Sequence, residues 1–231
     1  MNSKKHAISN QIFIECPDVV ILSHPRSGTH FLEASLANHP KIHKRGECFL
    51  RYERLIAKER SEQVREMQKF PRRFLRVLTN RPNRLNIAIL MYRKMSFFTD
   101  ILQFSLADLK LIHLLRNPRH VAISCAQMET DRLHLGDKFA AHYKRNQEAH
   151  VHFPISTARV DEIEAEVIRQ QFEVSEQLKV HSNVLTINYD DITGNKQLNV
   201  IPENHASAWL GFLGLDSFPL KNDLKKTGLK S

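Results

Sequence analysis

Residues 19–40 read VVILSHPRSGTHFLEASLANHP, and the reading of this stretch decides the fold. Val19, Val20, Ile21 and Leu22 form a short apolar run that stops at Pro25 and Gly28, the pattern of a buried strand feeding a loop. Beyond the loop, Phe31, Leu32, Leu36 and Ala37 recur at helical spacing until Asn38, His39 and Pro40 end the pattern. Strand, tight turn and helix make the opening half of a parallel α/β unit. The turn has a glycine and hydroxyls but lacks the Gly-Lys-Ser/Thr ending of an ATP-binding phosphate loop, and Arg26 sits inside it.

The same pattern returns further on. In LKLIHLLRNPRH (109–120) the apolar run 111–115 ends in a polar loop, and HVAISCAQM then starts a helix. NVLTINYDDI (183–192) is a third buried-strand candidate, ending in Tyr189-Asp190-Asp191 and preceded by a charged helix over 161–180. Residues 50–76 read as a surface helix interrupted near Pro71. Residues 84–106 read as a helix that turns Tyr92, Phe97, Phe98 and Phe104 inward. Strands alternating with helices predict an α/β fold of P-loop-like architecture, a central parallel sheet flanked by helices. No repeat, linker or low-complexity stretch divides the chain, so residues 1–231 are expected to form a single domain.

Composition narrows the class of partner without choosing one. The 231 residues are 42% hydrophobic and 26% charged, ordinary values for a globular protein, and the net charge is +9. That charge favours an anionic partner: nucleic acid, an acidic membrane face, an acidic glycan or a nucleotide. No basic-aromatic platform or zinc module is present, so nucleic acid is not the expected partner. Cys16, Cys48 and Cys125 are widely spaced and odd in number, with no CxxC pair, which indicates a reducing compartment. The N-terminal MNSKKHAISNQ lacks an apolar stretch of signal-peptide length, and the expected location is the cytoplasm. Nowhere do about 18 apolar residues run together, so no membrane span is expected. Of the 13 histidines, His150 and His152 are two apart but have no further ligands at familiar spacing, and no metal is expected.

The loop itself is an anion site by position. A helix N-terminus has N–H groups without intrahelical partners, and its dipole favours negative charge. Gly28 lets the backbone approach a phosphate; Ser27 and Thr29 add hydroxyls, or one of them caps the helix; Arg26 adds a forked cation. In the second unit Arg116 stands at the strand end and Ser124 eight residues later, early on the helix. A cation and a helical hydroxyl so placed could grip a second phosphate. The implied ligand has two separated phosphate-type groups.

PRSGTHFL followed by NHP and RGECF, with LIHLLRNPRHVAIS and INYDDI further on, resembles the sulfotransferases that use 3′-phosphoadenosine 5′-phosphosulfate (PAPS). The PRSGT form, with arginine where aryl sulfotransferases usually have lysine, is closer to the carbohydrate and tyrosylprotein branches. The resemblance implies that Arg26, Ser27, Gly28, Thr29 and His30 bind the 5′-phosphosulfate, and that Arg116 and Ser124 bind the 3′-phosphate. It places Tyr189 by the adenine, with Asp190 replacing the family's glutamate. Phe31 falls where aryl sulfotransferases stack a tryptophan on adenine, or is a core residue of the first helix. Lys226, and with it Lys225, stands in a C-terminal basic segment that either closes over the 3′-phosphate or is a solvated tail. A sulfuryl group carries less negative charge than a phosphoryl group, so neutralisation by a metal is less necessary and positioned donors suffice.

An acceptor hydroxyl attacking sulfur must lose a proton to a nearby base. Glu47, in RGECF, matches the glutamate that serves as base in the carbohydrate and tyrosylprotein branches; otherwise it is a surface glutamate paired with Arg45 or Lys44. The aryl branch uses a histidine in a Thr-His segment, and no such pair occurs between 50 and 110. His113 reads as a hydrogen-bonded core histidine, with His30 and His43 in reserve as bases. The expected reaction is sulfuryl transfer to a hydroxyl of a carbohydrate, a glycolipid or a small hydroxylated molecule, with Arg26 and His30 assisting departure of the nucleotide. The basic stretch 72–93 faces either an acidic acceptor or solvent. Two rivals are a nucleotide kinase, which would want the missing lysine and a metal-binding carboxylate, and a non-catalytic basic nucleotide- or nucleic-acid-binding protein.

Overall fold

A computed structural model describes residues 5–8, 12–56, 78–101, 105–135, 153–193 and 200–221. Lys5–Ile8 (β1) and Ile12–Glu15 (β2) pair as an antiparallel hairpin. The main sheet has five parallel strands: Val19–Ser23 (β3), Ile42–Gly46 (β4), Leu85–Met91 (β5), Lys110–Leu115 (β6) and Val184–Asn188 (β7). Their order is β4-β5-β3-β6-β7, so β3 is central and the chain lays strands first to one side of it and then to the other. An open parallel sheet binds ligands at the carboxyl ends of its strands where the order reverses. Here that crevice lies between the ends of β3 and β6, where the two expected loops begin.

Alternation along the strands sorts the core into two layers. Val20 and Leu22 of β3 face one side with Ala88 and Leu90 of β5, against Phe49 and Tyr52 of Cys48–Ile56 (α2) and Val174 and Leu178 of Thr157–Leu178 (α4). Val19 and Ile21 face the other side with Ile87, Ile89, Ile112 and Leu114. There they meet Leu32 and Leu36 of Thr29–Leu36 (α1) and Trp209 and Leu210 of Glu203–Leu213 (α6). Pro118–Leu135 (α3) packs on α4 through Val121, Cys125, Val160, Ile163 and Val167. Tyr189–Thr193 (α5) is a short turn of helix directly after β7.

The expected α/β fold with helices on both faces is what forms. Two elements differ from expectation. Residues 84–106 are not one helix: Leu85–Met91 is an inner strand, buried continuously from Asn86 to Leu90. A 3₁₀ turn over Tyr92–Lys94 and a π-helical turn over Phe97–Ile101 follow it. A strand buried on both faces has no alternation, and a short apolar run does not distinguish it from buried helix. Tyr92 and Phe98 do point inward; the side chains of Phe97 and Phe104 lie outside the described residues. The second difference is β4, whose IHKRG has no apolar run. His43 and Arg45 are nonetheless buried, because Arg45 donates to the carbonyls of Glu15 (2.7 Å) and Leu78 (2.8 Å) and to Asn80 Oδ1 (2.7 Å). The interruption near Pro71, His150, His152, Lys225 and Lys226 lie outside the described residues.

Candidate active site

Five residues separate β3 from α1, and two of them take left-handed backbone, Arg26 (φ 69°) and Gly28 (φ 95°). Gly28 is the residue before the helix, and no side chain caps the helix there. The neighbouring helices are built differently. Asn117 Oδ1 accepts from the Arg119 amide (2.9 Å) at the start of α3, and Ser156 Oγ accepts from the Arg159 amide (3.3 Å) at the start of α4. An N-cap contributes about 1 kcal/mol, so forgoing one at α1 leaves its first turn for something else. Neither Ser27 nor Thr29 acts as the cap.

The two loops touch. Arg26 Nε donates to Ser124 Oγ (3.1 Å) and Arg116 Nη1 donates to the Arg26 carbonyl (2.8 Å). Tyr189 lies against them: Arg116 sits over its ring at 5.1 Å, and Phe31 meets it edge-on at 5.6 Å. The ring also covers Gly28 so closely that a Cβ there would fall 2.3 Å from Tyr189 Cε2. Glycine is therefore required at 28 twice, for its φ and for the ring above it. Tyr189 is only 7% exposed, which pushes its hydroxyl above the ordinary tyrosine range. It forms a wall of the loop.

Ser27 Oγ and Arg116 Nε are buried and have no hydrogen-bond partner among the described residues. Ser23 Oγ and Tyr52 Oη share that state. A buried donor without an acceptor costs about 1–3 kcal/mol. The first two lie in the touching loops, beside an uncapped helix start, and an anion there would satisfy both. The residues present therefore fit a ligand with phosphate-type groups. Arg26 and Arg116 supply its charge complement, and Ser124 keeps its hydroxyl proton while accepting from Arg26.

Sequence reasoning did not assign the contacts that hold this frame. Asp190 Oδ2 accepts from the Asn117 amide (2.6 Å), and His120 Nδ1 donates to its Oδ1 (3.1 Å), which pins the second loop to β7. Gln171 Nε2, from α4, donates to the Arg116 carbonyl (3.0 Å). Asp190 had a signal, its place in the Tyr-Asp-Asp segment; Gln171 had none.

Glu47 follows β4 and is brought to His30 of α1, with His30 Nε2 3.6 Å from Glu47 Oε1. Arg45, which spacing allowed as a partner of Glu47, is turned inward and donates to the Glu15 and Leu78 carbonyls. The hydrogen bond to Glu47 raises the His30 pKa above the ordinary histidine value; burial and Arg26 oppose it, while Glu33 adds to it. Glu47 also lines a cleft with Met91, Arg93 and Lys94. Beside it, Tyr92, Arg93, Arg169, Gln170 and Gln177 line a second cleft of about 210 Å³. His113 is a core histidine, as expected: it shares a 2.6 Å hydrogen bond with the Tyr92 hydroxyl, and burial lowers its pKa to about 4. His43 is buried on β4. Among the described residues no group of three or more His, Cys, Asp or Glu could hold a metal ion, and no helix is long and apolar enough to cross a membrane.

Solved structures that the chain matches include mouse sulfotransferase SULT7A1 complexed with PAP (18% identity, 87% of this chain and 59% of that one, TM-score 0.44). They also include the sulfotransferase domain from the curacin biosynthetic pathway (16%, 87% and 74%, TM-score 0.52). A third is a sulfotransferase from Alicyclobacillus acidocaldarius (15%, 91% and 86%, TM-score 0.50). The chain thus spans 59% of the length of the mouse protein. The latter two show a shared fold. No curated protein matches the sequence. The sulfotransferase domain model matches residues 16–201, a span that holds both loops, Glu47 and the Tyr189 turn, and the chain belongs to the sulfotransferase family.

Proposed function

We propose that this sulfotransferase passes the sulfuryl group to a hydroxyl of a carbohydrate or glycolipid, with Glu47 as the base. The observation that carries the donor side is the pair of buried, unpartnered donors, Ser27 Oγ and Arg116 Nε, in two loops that touch beside an uncapped helix. On this reading Ser27, Gly28, Thr29 and His30 hold the 5′-phosphosulfate, with Arg26 reaching it from the loop. Arg116 and Ser124 hold the 3′-phosphate. Phe31 and Tyr189 flank the adenine. Lys226, outside the described residues, is assigned to the 3′-phosphate side.

Bound PAPS supplies an electrophilic sulfur and a nucleotide leaving group. The chain supplies the rest. Glu47 accepts the proton of the acceptor hydroxyl, which raises the electron density on the attacking oxygen. Arg26, the amides of the first turn of α1 and His30 stabilise negative charge as it develops on the leaving oxygen. Glu47 raises the His30 pKa, so the carboxylate that takes the acceptor's proton also favours the charged imidazole, through one contact of 3.6 Å. The second cleft mixes polar groups (Arg93, Gln170, Gln177) with apolar ones (Tyr92, Met95, Val174), a lining that suits the two kinds of face a sugar ring presents.

Calorimetric titration with adenosine 3′,5′-bisphosphate, beside ATP and AMP, tests the donor site. The wild type is expected to prefer the bisphosphate, and Arg116→Ala to lose about tenfold or more in affinity, which is about 1.4 kcal/mol. Preference for ATP, or no binding, would overturn the assignment. Transfer from PAPS to phenols but to no glycan or glycolipid would replace the acceptor class.

A further inference from the structure

We propose that Glu33 is a positioning residue for Glu47: from the buried face of α1 it holds the Gly46 amide and thereby sets the base at the end of β4. The proposal rests on Glu47 being the base. Glu33 stands between Leu32 and Ser35 and is 5% exposed, an acid in an apolar layer. Such a group is retained only where it is hydrogen-bonded. Its Oε1 accepts from the Gly46 N–H at 2.6 Å.

That amide is special. The register of β4 against β5 runs Lys44↔Ile87 and then Gly46↔Ala88, so Arg45 is an extra residue in the strand. A β-bulge of this kind bends its strand and re-aims the side chains that follow. Gly46 is left-handed at φ 61°, and a Cβ there would meet nothing within 4 Å, so the backbone conformation and not space demands glycine. The bulge turns Arg45 inward to its three oxygen acceptors and places Glu47 opposite His30. Glu33 bonds the amide at that turn, three residues along α1 from His30. One helix therefore carries both the imidazole and the carboxylate that fixes the imidazole's partner.

Burial pushes the Glu33 carboxyl up; the Gly46 N–H, His30 and Lys44 draw it down, and the like charge of Glu47 raises it again. His30 in turn feels Glu47, Glu33 and Arg26. Two measurements separate positioning from charge and from mere packing: the imidazole titration of His30, identified by its loss in His30→Asn, and hydrogen exchange of the Gly46 amide. Glu33→Gln keeps an acceptor oxygen in place and is expected to keep Gly46 protected and most of the His30 elevation. Glu33→Leu removes the acceptor, and Glu33→Asp withdraws it while keeping the charge. Both are expected to expose Gly46 to exchange and to bring the His30 titration down to that of Glu47→Gln. Either variant suffices should the other fail to fold. A wild-type His30 titration and a protected Gly46 amide in Glu33→Asp or Glu33→Leu would overturn the proposal. Bisphosphate affinity is expected to stay within about threefold of wild type in Glu33→Gln and Glu33→Asp. Absence of bisphosphate binding in the wild type would instead remove the donor assignment and leave the Glu33–Gly46–Glu47 result standing.

Discussion

At Gly28 a single hydrogen atom in place of a side chain decides whether the loop between β3 and α1 can take its shape. The residue has φ 95°, a conformation that L side chains rarely adopt, and the Tyr189 ring covers the space a Cβ would need. Gly28→Ala is therefore expected to lower stability by about 1–3 kcal/mol through strain and overpacking. It should weaken bisphosphate binding in the same protein. Urea unfolding and calorimetry on one preparation check both, and an unchanged unfolding midpoint would show that the loop relaxes around the new methyl group. Arg26 is left-handed as well, and it pays for that backbone with contacts at both ends, its Nε on Ser124 and its carbonyl on Arg116. Its guanidinium joins the two loops before any ligand arrives. The residues proposed to carry the chemistry (Arg26, Ser27, Gly28, Glu47, Arg116) could be picked out in the chain because they sit at fixed offsets from strand ends. Glu33 and Gln171 were not legible, because their partners Gly46 and Arg116 are reached across space from other elements.

The junction of β6 with α3, proposed to hold the second phosphate, is itself held from outside. Asn117 caps α3 with its side chain and gives its own amide to Asp190, on the turn after β7. Pro118 opens the helix at the position where a missing N–H costs nothing. Loss of the Asp190 carboxylate frees the loop between Arg116 and α3 while leaving the sheet ladder intact. Asp190→Ala is expected to cost about tenfold in bisphosphate affinity, or about 1.4 kcal/mol. The loss should appear with little change in unfolding midpoint, since the carboxylate is partly exposed. Calorimetry and a thermal melt check this, and an affinity equal to wild type would mean that Gln171 and Arg26 hold Arg116 unaided. The elements also explain which parts of the fold were misread. β5 is apolar on both faces and so lacks alternation, while β4 is polar because its bulge residue, Arg45, is satisfied internally by three oxygens.

For the molecule as a whole, the buried polar groups set its response to acid. His113, inside β6 and 2% exposed, has its pKa lowered to about 4, and burial also lowers that of His24 at the end of β3. A histidine held neutral in the native state binds its proton on unfolding first, so stability is full above the unfolded value near 6.5. It is then lost as pH falls toward 4, by up to about 1.4 kcal/mol per pH unit for one such group. His113→Gln, which keeps a partner for the Tyr92 hydroxyl but does not titrate, is expected to flatten that slope; urea unfolding at pH 7, 6 and 5 measures it. Equal slopes in the two proteins would show that His113 is not the group responsible. The ion pairs that link α3 to α4, such as Arg159–Glu129, lie in solvent and contribute little by comparison. The chain by itself determined the α/β class, the first buried strand, both loops and the family resemblance, because each is written in local order: an apolar run, a glycine, a cation at a strand end. Tertiary structure alone decided the strand order, the bulge that aims Glu47, its contact with His30 and the packing of Tyr189 on Gly28. Those depend on which elements meet, and distances between residues far apart in sequence are set by packing that no local spacing encodes.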